Sequence, residues 1–477
     1  MAGIRGTGLE VISPNLSVWM DTSGEYRRSS PLEDKVTADV AVIGGGVMGL
    51  SAAWHLRRSA PGQTVVVVEQ AFVGAGSSGR NNGVLAAGTG FAGPFIKRIY
   101  GMGRLQELLA YGEQSLERTR ALIRDHRLDV DHRERVPHLR IAIAEPFVAQ
   151  LERQYTAECS AGAEQEWLDA GALASRYPGP LIGGAAAIRD RAADVINPMR
   201  YVRELKRLTV EAGGIVYEGS PVIDIRRIGG SYRIDTPGGA LLAPKIVLAT
   251  NAYTDRLPGS IIRGTDQWPI YAYKLATEPL SDELWSELGW EPNLRVADSL
   301  SMWHSMRRTS DGRMTFGGAV YRVADRALQG EYNARIFSLL ERHFRAFFPN
   351  LHGVRISHKW GGLISTTFDL APHVGFVDER GSVVRISGCW GHGLATAYLN
   401  GQVASNLLQG VHDEYTDHWI VRRTPRGWPV APVRFVGMAA VLERMRRSAR
   451  RALADATRAS RSAAQRRALT ELSNYGK

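Results

Sequence analysis

Residues 38–49 read ADVAVIGGGVMG, and the fold turns on this stretch. Ala38–Ile43 is a short β-branched run of the kind that forms a buried parallel strand. It runs into Gly44-x-Gly46-x-x-Gly49 and then into a helical pattern, Leu50–Arg58, which Pro61-Gly62 breaks. Thr64–Val68 (TVVVV) is a second buried strand, and it ends on Glu69. This is a complete strand–turn–helix–strand unit. In such a unit the first glycine makes the tight turn and the second lets a pyrophosphate approach the backbone. The third lets helix and strand pack closely, and the helix N-terminus holds the phosphates. Glu69, twenty residues after Gly49, is the acid expected to take the adenosine ribose hydroxyls, and a carboxylate there argues against a 2′-phosphate. The fingerprint alone does not separate a nicotinamide from a flavin dinucleotide.

Working outward, a length of 477 residues points to two or more domains. With 44% hydrophobic and 22% charged residues the chain reads as globular, not fibrous or disordered. The uncharged stretch Asn81–Ile96 is too short and Gly-rich for a transmembrane segment. The first 30 residues mix Arg, Asp, Glu and Pro without an apolar core, so no secretory signal is expected and the expected compartment is cytoplasmic. Two cysteines, Cys159 and Cys389, cannot build a disulfide framework or a multi-cysteine zinc site. His126, His132 and His138 recur at a spacing that does not share a helical face, so no metal site is expected.

Further strands are predicted at His138–Ala144, Gly184–Ile188, Ile215–Tyr217, Val222–Ile225, Tyr232–Ile234, Lys245–Leu248 and Val383–Ile386. Helices are predicted at Gly103–Arg124, Pro198–Ala212 and Leu394–Leu408. Trp268–Val320 is strand-rich, with Asp311-Gly312 as a hairpin turn between Met302–Arg308 and Arg313–Phe316.

The segment after the second strand, Ser77-Ser78-Gly79-Arg80-Asn81-Asn82-Gly83, is the loop a flavoprotein lays beside its cofactor. Here the chain resembles the FAD-dependent amine and D-amino-acid oxidase superfamily. The γ-glutamylputrescine oxidase-like branch is the most similar, with glycine and sarcosine oxidases as relatives. The blocks that carry the resemblance are Trp19–Asp21, Ala38–Ala53, Ser78–Asn81, Lys245–Tyr253 (KIVLATNAY), Ala276–Leu280 and Asp311–Arg313 with Phe316–Gly318. Trp360-Gly361-Gly362, Asp369, Pro372 and Gly391-His392-Gly393 complete it, so the resemblance spans about residues 19–410. Asn82 replaces the first glycine of the family's closing pair.

The resemblance implies an α/β, two-domain flavoprotein: a Rossmann-like, doubly wound FAD domain plus a substrate domain with a large mixed β-sheet. The expected FAD domain is discontinuous (36–100, 185–265 and 358–412), after a lead-in at 1–35. The expected substrate domain is 101–184 and 266–357, followed by an extension at 413–477 with a basic amphipathic helix. Expected FAD contacts are Gly44, Gly46, Met48, Gly49, Glu69, Gln70, Ser78, Arg80, Asn81, Asn82 and Gly83. Further contacts are expected from Val222, Ala249, Thr250, Trp360, Gly361, Gly391, His392, Gly393 and Leu394. The aromatic-rich block supplies substrate candidates Tyr271, Tyr273, Trp303, His304 and Arg308, because aromatic faces build a cage for the amine-bearing carbon. Candidates for a catalytic role are His392, Tyr273 and His304.

The implied reaction is oxidation of a C–N bond in an amine or amino-acid-like substrate. Hydride passes to flavin N5, the imine hydrolyses to carbonyl plus amine, and electrons go to O2. The alternatives are a dehydrogenase, or a biosynthetic oxidation of a larger substrate with another acceptor. From a different class, an anion-binding module on a flavoprotein scaffold also remains open. Two family lysines are missing: Ala395 stands where one helps hold a substrate carboxylate, and Thr315 where another promotes reaction with oxygen. No histidine lies in Gly83–Gly90, where histidine-linked members attach their flavin, so FAD is expected to be non-covalent. Cys389 is the alternative attachment point.

The net charge of +11 is concentrated in Glu443–Lys477, which carries ten basic and three acidic residues. Leu442, Met445, Ala449, Ala452, Leu453 and Ala456 form a stripe at three- and four-residue spacing. The stripe is too Ala-rich to anchor in lipid, and with no Trp or Phe the segment lacks the marks of a nucleic-acid reader. It is expected to pack on the body or on another copy of the chain, and its removal is expected to spare turnover.

Overall fold

The structure, a computed structural model, describes residues 17–474 apart from 88–92, 161–163, 179–183, 258–266, 301, 324–331, 390, 392, 430 and 461. Val40–Ile43 and Val65–Val68 are parallel neighbours in a six-stranded sheet. Its order runs His373–Phe376, Val383–Ser387, Lys245–Leu248, Val40–Ile43, Val65–Val68, Ile215–Tyr217, and only the His373–Phe376 pairing is antiparallel among them.

The all-apolar strands are explained by burial of both faces. Val40, Val42, Val65 and Val67 pack with residues of the helices Val47–Ser59, Pro198–Glu211 and Gly393–Gln409. Ala41, Ile43, Val66 and Val68 instead meet Ile225, Tyr232, Ile234 and Leu241. Those residues belong to a four-stranded sheet (Lys35–Thr37, Ala240–Ala243, Ser231–Asp235, Asp224–Ile228) that covers the second face.

The other body is a nine-stranded mixed sheet. Its path runs Ile356–Thr367, Gln267–Thr277, Met314–Val323, His304–Arg308, Arg295–Asp298, Arg133–Ala142, Ala186–Val195, Val84–Ala86, with Glu166–Asp169 also paired to Ala186–Val195. The hairpin read from Asp311-Gly312 is present: His304–Arg308 pairs antiparallel with Met314–Val323, and Gly312 takes a φ of +78°.

Four segments sit differently from the sequence-based partition. Val84–Ala86, Ala186–Val195 and Ile356–Thr367 join the nine-stranded sheet, although 36–100, 185–265 and 358–412 were expected with the FAD domain. The helix Gly93–Asp125, kinked at Gly101, packs through Leu108, Tyr111 and Leu116 into the core of the six-stranded body, although 101–184 was expected on the substrate side. The physical reason is that strand partners are chosen by hydrogen bonding across the sheet, which composition along the chain does not record. The helix Ala334–Phe347, absent from the sequence reading, packs Phe337, Phe344 and Phe347 beneath the large sheet.

No helix among the described residues is long and apolar enough to cross a membrane. Cys159 and Cys389 are both free thiols.

Candidate active site

The glycine turn is built for a close approach. Gly44 has φ +111°, and a Cβ there would lie 2.6 Å from the Ala249 carbonyl oxygen, so no side chain fits. A Cβ at Gly49 would lie 2.0 Å from the Gly44 oxygen, so this glycine serves packing, beneath the turn. Gly46 caps the helix Val47–Ser59 without a side-chain acceptor, and the Val47 N–H donates to Ser78 Oγ at 3.0 Å. The N-terminal end of the helix therefore opens onto a cavity of about 420 Å³ that Gly44, Gly46, Val47 and Met48 line.

Glu69 stands at the end of the second strand and lines the same cavity with Gln70, Ser220 and Val222. Its carboxylate accepts the Gly45 N–H at 2.7 Å and the Ala71 N–H at 3.1 Å. Burial nevertheless pushes its pKa up to about 7.

The loop after this strand is locked from several sides. Asn81 Nδ2 donates to the Ser77 and Ser78 carbonyls, and its Oδ1 accepts the Gly83 N–H at 2.7 Å. Arg80 donates to the Ala75 and Gly361 carbonyls, while Trp360 Nε1 donates to the Arg80 carbonyl at 2.9 Å. Trp19 Nε1 donates to the Asn81 carbonyl at 2.7 Å, and the buried Arg307 guanidinium lies 5.1 Å from the Trp19 ring centre. Arg307 also donates to the carbonyls of Asn82, Gly83 and Ile196.

Of the expected cofactor contacts, Ser78, Arg80, Asn81, Asn82, Ala249, Thr250, Gly391, Gly393 and Leu394 line the cavity, beside those already named. Gly83, Trp360 and Gly361 do not line it; they brace the loop from behind, and Gly362 and Leu363 form the wall instead. His392 lies outside the described residues.

On the substrate side, Trp303 reaches the cavity; Tyr273 borders it, but its ring is fully buried in the core of the large sheet, 5.6 Å from that of Phe337. Tyr271 is a correction: it is fully buried in the core of the large sheet. Arg308 is another. It donates to the Trp290 carbonyl and stacks over Trp285, away from the cavity. His304 is the third. It is 0% exposed, bonded to Asp298 through Nδ1 at 2.5 Å and to His343 through Nε2 at 2.9 Å, under the sheet. His132 and His138 likewise pair with Asp194 and Asp190.

The strand Gln267–Thr277 explains the first of these corrections. Successive side chains alternate, so Ile270, Ala272 and Lys274 line the cavity while Tyr271 and Tyr273 join the core. Lys274 was missed. Its ammonium makes no hydrogen bond or ion pair among the described residues. Burial, reinforced by the charges of Arg307 and Arg295, pushes its pKa down to about 7. The sheet thus brings a lysine into the cavity on a strand next to that of Thr315, which is itself buried and donates to Asn82 Oδ1 at 3.4 Å. Cys389 also lines the cavity, and burial pushes its thiol pKa up.

A phosphate-binding turn at a helix N-terminus, an acid at the next strand end and a cavity shared with a second sheet define a dinucleotide-dependent oxidoreductase. Residues 39–407 match the profile of the DAO family, FAD dependent oxidoreductase, and the chain belongs to that family. Among curated proteins, the γ-glutamylputrescine oxidoreductase of Escherichia coli is 30% identical over 406 residues, 83% of this chain and 89% of that protein. A probable oxidoreductase of Haemophilus influenzae, OrdL, is 27% identical over 402 residues, 83% of this chain and 88% of that protein. Among solved structures, glycine oxidase from Geobacillus kaustophilus superposes with a TM-score of 0.68 at 20% identity, over 82% of this chain and 100% of that one. The cofactor of the family is FAD. The residues fit it: Gly44 and Gly46 line the cavity with bare backbone at a helix N-terminus, and Glu69 offers a buried acceptor at the cavity's edge.

Proposed function

We propose that this protein oxidises the C–N bond of an amine or amino-acid-like substrate. The observation that carries the reading is one continuous cavity, running from the Glu69 and Gly46 cradle to a wall of Tyr273, Trp303 and Lys274. The names of its relatives, a γ-glutamylputrescine oxidoreductase and a glycine oxidase, point the same way. When bound, FAD would supply the two-electron acceptor for the hydride that leaves the carbon beside nitrogen; the nitrogen loses its proton, and the resulting imine is hydrolysed. The chain positions the two reactants and excludes water. The cradle, with Asn82, Ala249, Thr250, Gly391, Gly393 and Leu394, holds the cofactor. Trp303 presents an apolar face to the substrate, and Lys274 supplies the positive charge for a carboxylate.

O2 is the proposed acceptor, supported by the same lysine, since a cation stabilises the negative charge that oxygen takes up with its first electron. A cytoplasmic location is supported by the two free thiols. Exposed Val433, Phe435, Val436 and Val441 on the C-terminal helix support self-association through the tail, which sedimentation would measure. The reading is tested by anaerobic mixing of the yellow protein with polyamines, γ-glutamyl amines, N-alkyl amino acids and D-amino acids. Bleaching of the flavin by one class supports it, and a flavin that none of them bleaches rejects it.

A further inference from the structure

The cavity that begins at Glu69 ends against the C-terminal extension. Leu442 and Met445, about one turn apart on the helix Ala431–Ala459, line its far wall. Leu442 is buried with Trp268, Ile270 and Met438. Beyond it, Ala449, Leu453 and Ala456 are buried in the core of the large sheet, which fixes the helix in place. Ile270 and Lys274 share a strand face four residues apart, roughly 14 Å at strand rise. The cavity therefore has a cationic position and, at some distance, an apolar end. That end is built from residues beyond 39–407, the part of the chain that the family profile matches.

We propose that the helix Ala431–Ala459 is a specificity-determining wall of the substrate cavity, with Leu442 and Met445 taking an unbranched hydrocarbon or aryl portion of the substrate. The inference rests on the amine reading above. Met445 suits the task because a thioether side chain is long, flexible and polarisable, and adapts to an apolar ligand. Arg447, on the outer side of the helix, is 69% exposed and pairs with Glu443.

The test uses the FAD-loaded full chain. Dissociation constants for n-alkylamines from ethyl to octyl are read from the flavin difference spectrum. The proteins compared are the wild type, Leu442→Ala/Met445→Ala, Met445→Leu and Val441→Ala, the last being exposed on the same helix. In the wild type, affinity should rise roughly fourfold per methylene up to a limiting length. The double variant should bind the amines long enough to reach the wall more weakly per methylene and extend the limit, Met445→Leu should shift the profile part-way, and Val441→Ala should keep that of the wild type. Iodide quenching of FAD fluorescence should increase several-fold in the double variant alone. Quenching needs no substrate, so a wrong substrate class leaves that arm intact, whereas a wrong wall abolishes it. Identical profiles and identical quenching across the four proteins would overturn the proposal. If the double variant does not fold, Met445→Trp fills the same space and should shorten the limiting amine; an unchanged limit would overturn it equally.

Discussion

Glu69 Oε2 accepts the N–H of Gly45 at 2.7 Å, so the acid at the end of one strand is tied to the turn that ends its neighbour. The bond fixes the carboxylate at the cavity's edge while burial holds its pKa near 7. A ribose hydroxyl donates better to the ionised form. FAD affinity of the apoprotein should therefore rise with pH through about 7 and level off above it. Glu69→Gln should bind FAD about a hundredfold more weakly, without that slope. Titration of apoprotein with FAD between pH 5.5 and 8.5, followed by fluorescence, decides it.

Gly46→Val places a branched side chain where a Cβ alone would lie 2.8 Å from Ser78 Oγ. The variant should purify folded but colourless. Stoichiometric yellow FAD in it would show that the cofactor sits elsewhere.

Lys274 is a cation below pH 7 and largely neutral above it, because its pKa is lowered to about 7. A carboxylate ligand should bind most tightly on the acid side, and its affinity should fall as the pH rises past 7. A bound carboxylate lifts the lysine's pKa, so the fall continues until that higher value is reached. Benzoate titrations of the holoenzyme between pH 6 and 9 should show this descent, and Lys274→Met should bind weakly with no pH dependence.

Attachment through Cys389 would require a thiolate, and burial raises the thiol's pKa. FAD should therefore leave with the supernatant on acid precipitation. Yellow colour retained in the wild-type pellet and lost in Cys389→Ala would reverse this conclusion.

His304→Leu would leave the buried Asp298 carboxylate, among the described residues, with the backbone N–H groups of Leu300 and residue 304. The expected cost is about 3 kcal/mol of stability. FAD affinity below the unfolding temperature should not change. A thermal melt and a cofactor titration on the same sample separate this structural role from a catalytic one.

The cofactor cradle was legible in sequence because it is local: Gly44 to Glu69 contains the turn, the helix and the acid, and each residue type answers a requirement of the backbone. The substrate wall was not, and the run Ile270-Tyr271-Ala272-Tyr273-Lys274 shows why. Both faces of this strand are covered, so polarity does not alternate along it, and aromatic content drew attention to Tyr271 on the core side. His304 misled for a different reason. Its partner His343 lies on a helix that no sequence signal placed beside it. Met445 was read as part of a packing stripe, which it is, yet the stripe also reaches the cavity, so removal of the tail would open the site as well as strip its cover.

The strand Lys245–Leu248 pairs on one side with Val40–Ile43 and on the other with Val383–Ser387. During synthesis the first partner waits ready and the second has yet to be made. At ribosomal speeds the apolar edge of Lys245–Leu248 stays open for on the order of ten seconds before residues 383–387 emerge. The helix Gly393–Gln409, whose first residues complete the cradle, follows later still. Capture of the cofactor is thus a late event in the birth of this protein, and a ribosome stalled before residue 383 presents an unfinished sheet edge to chaperones and to its neighbours on the polysome.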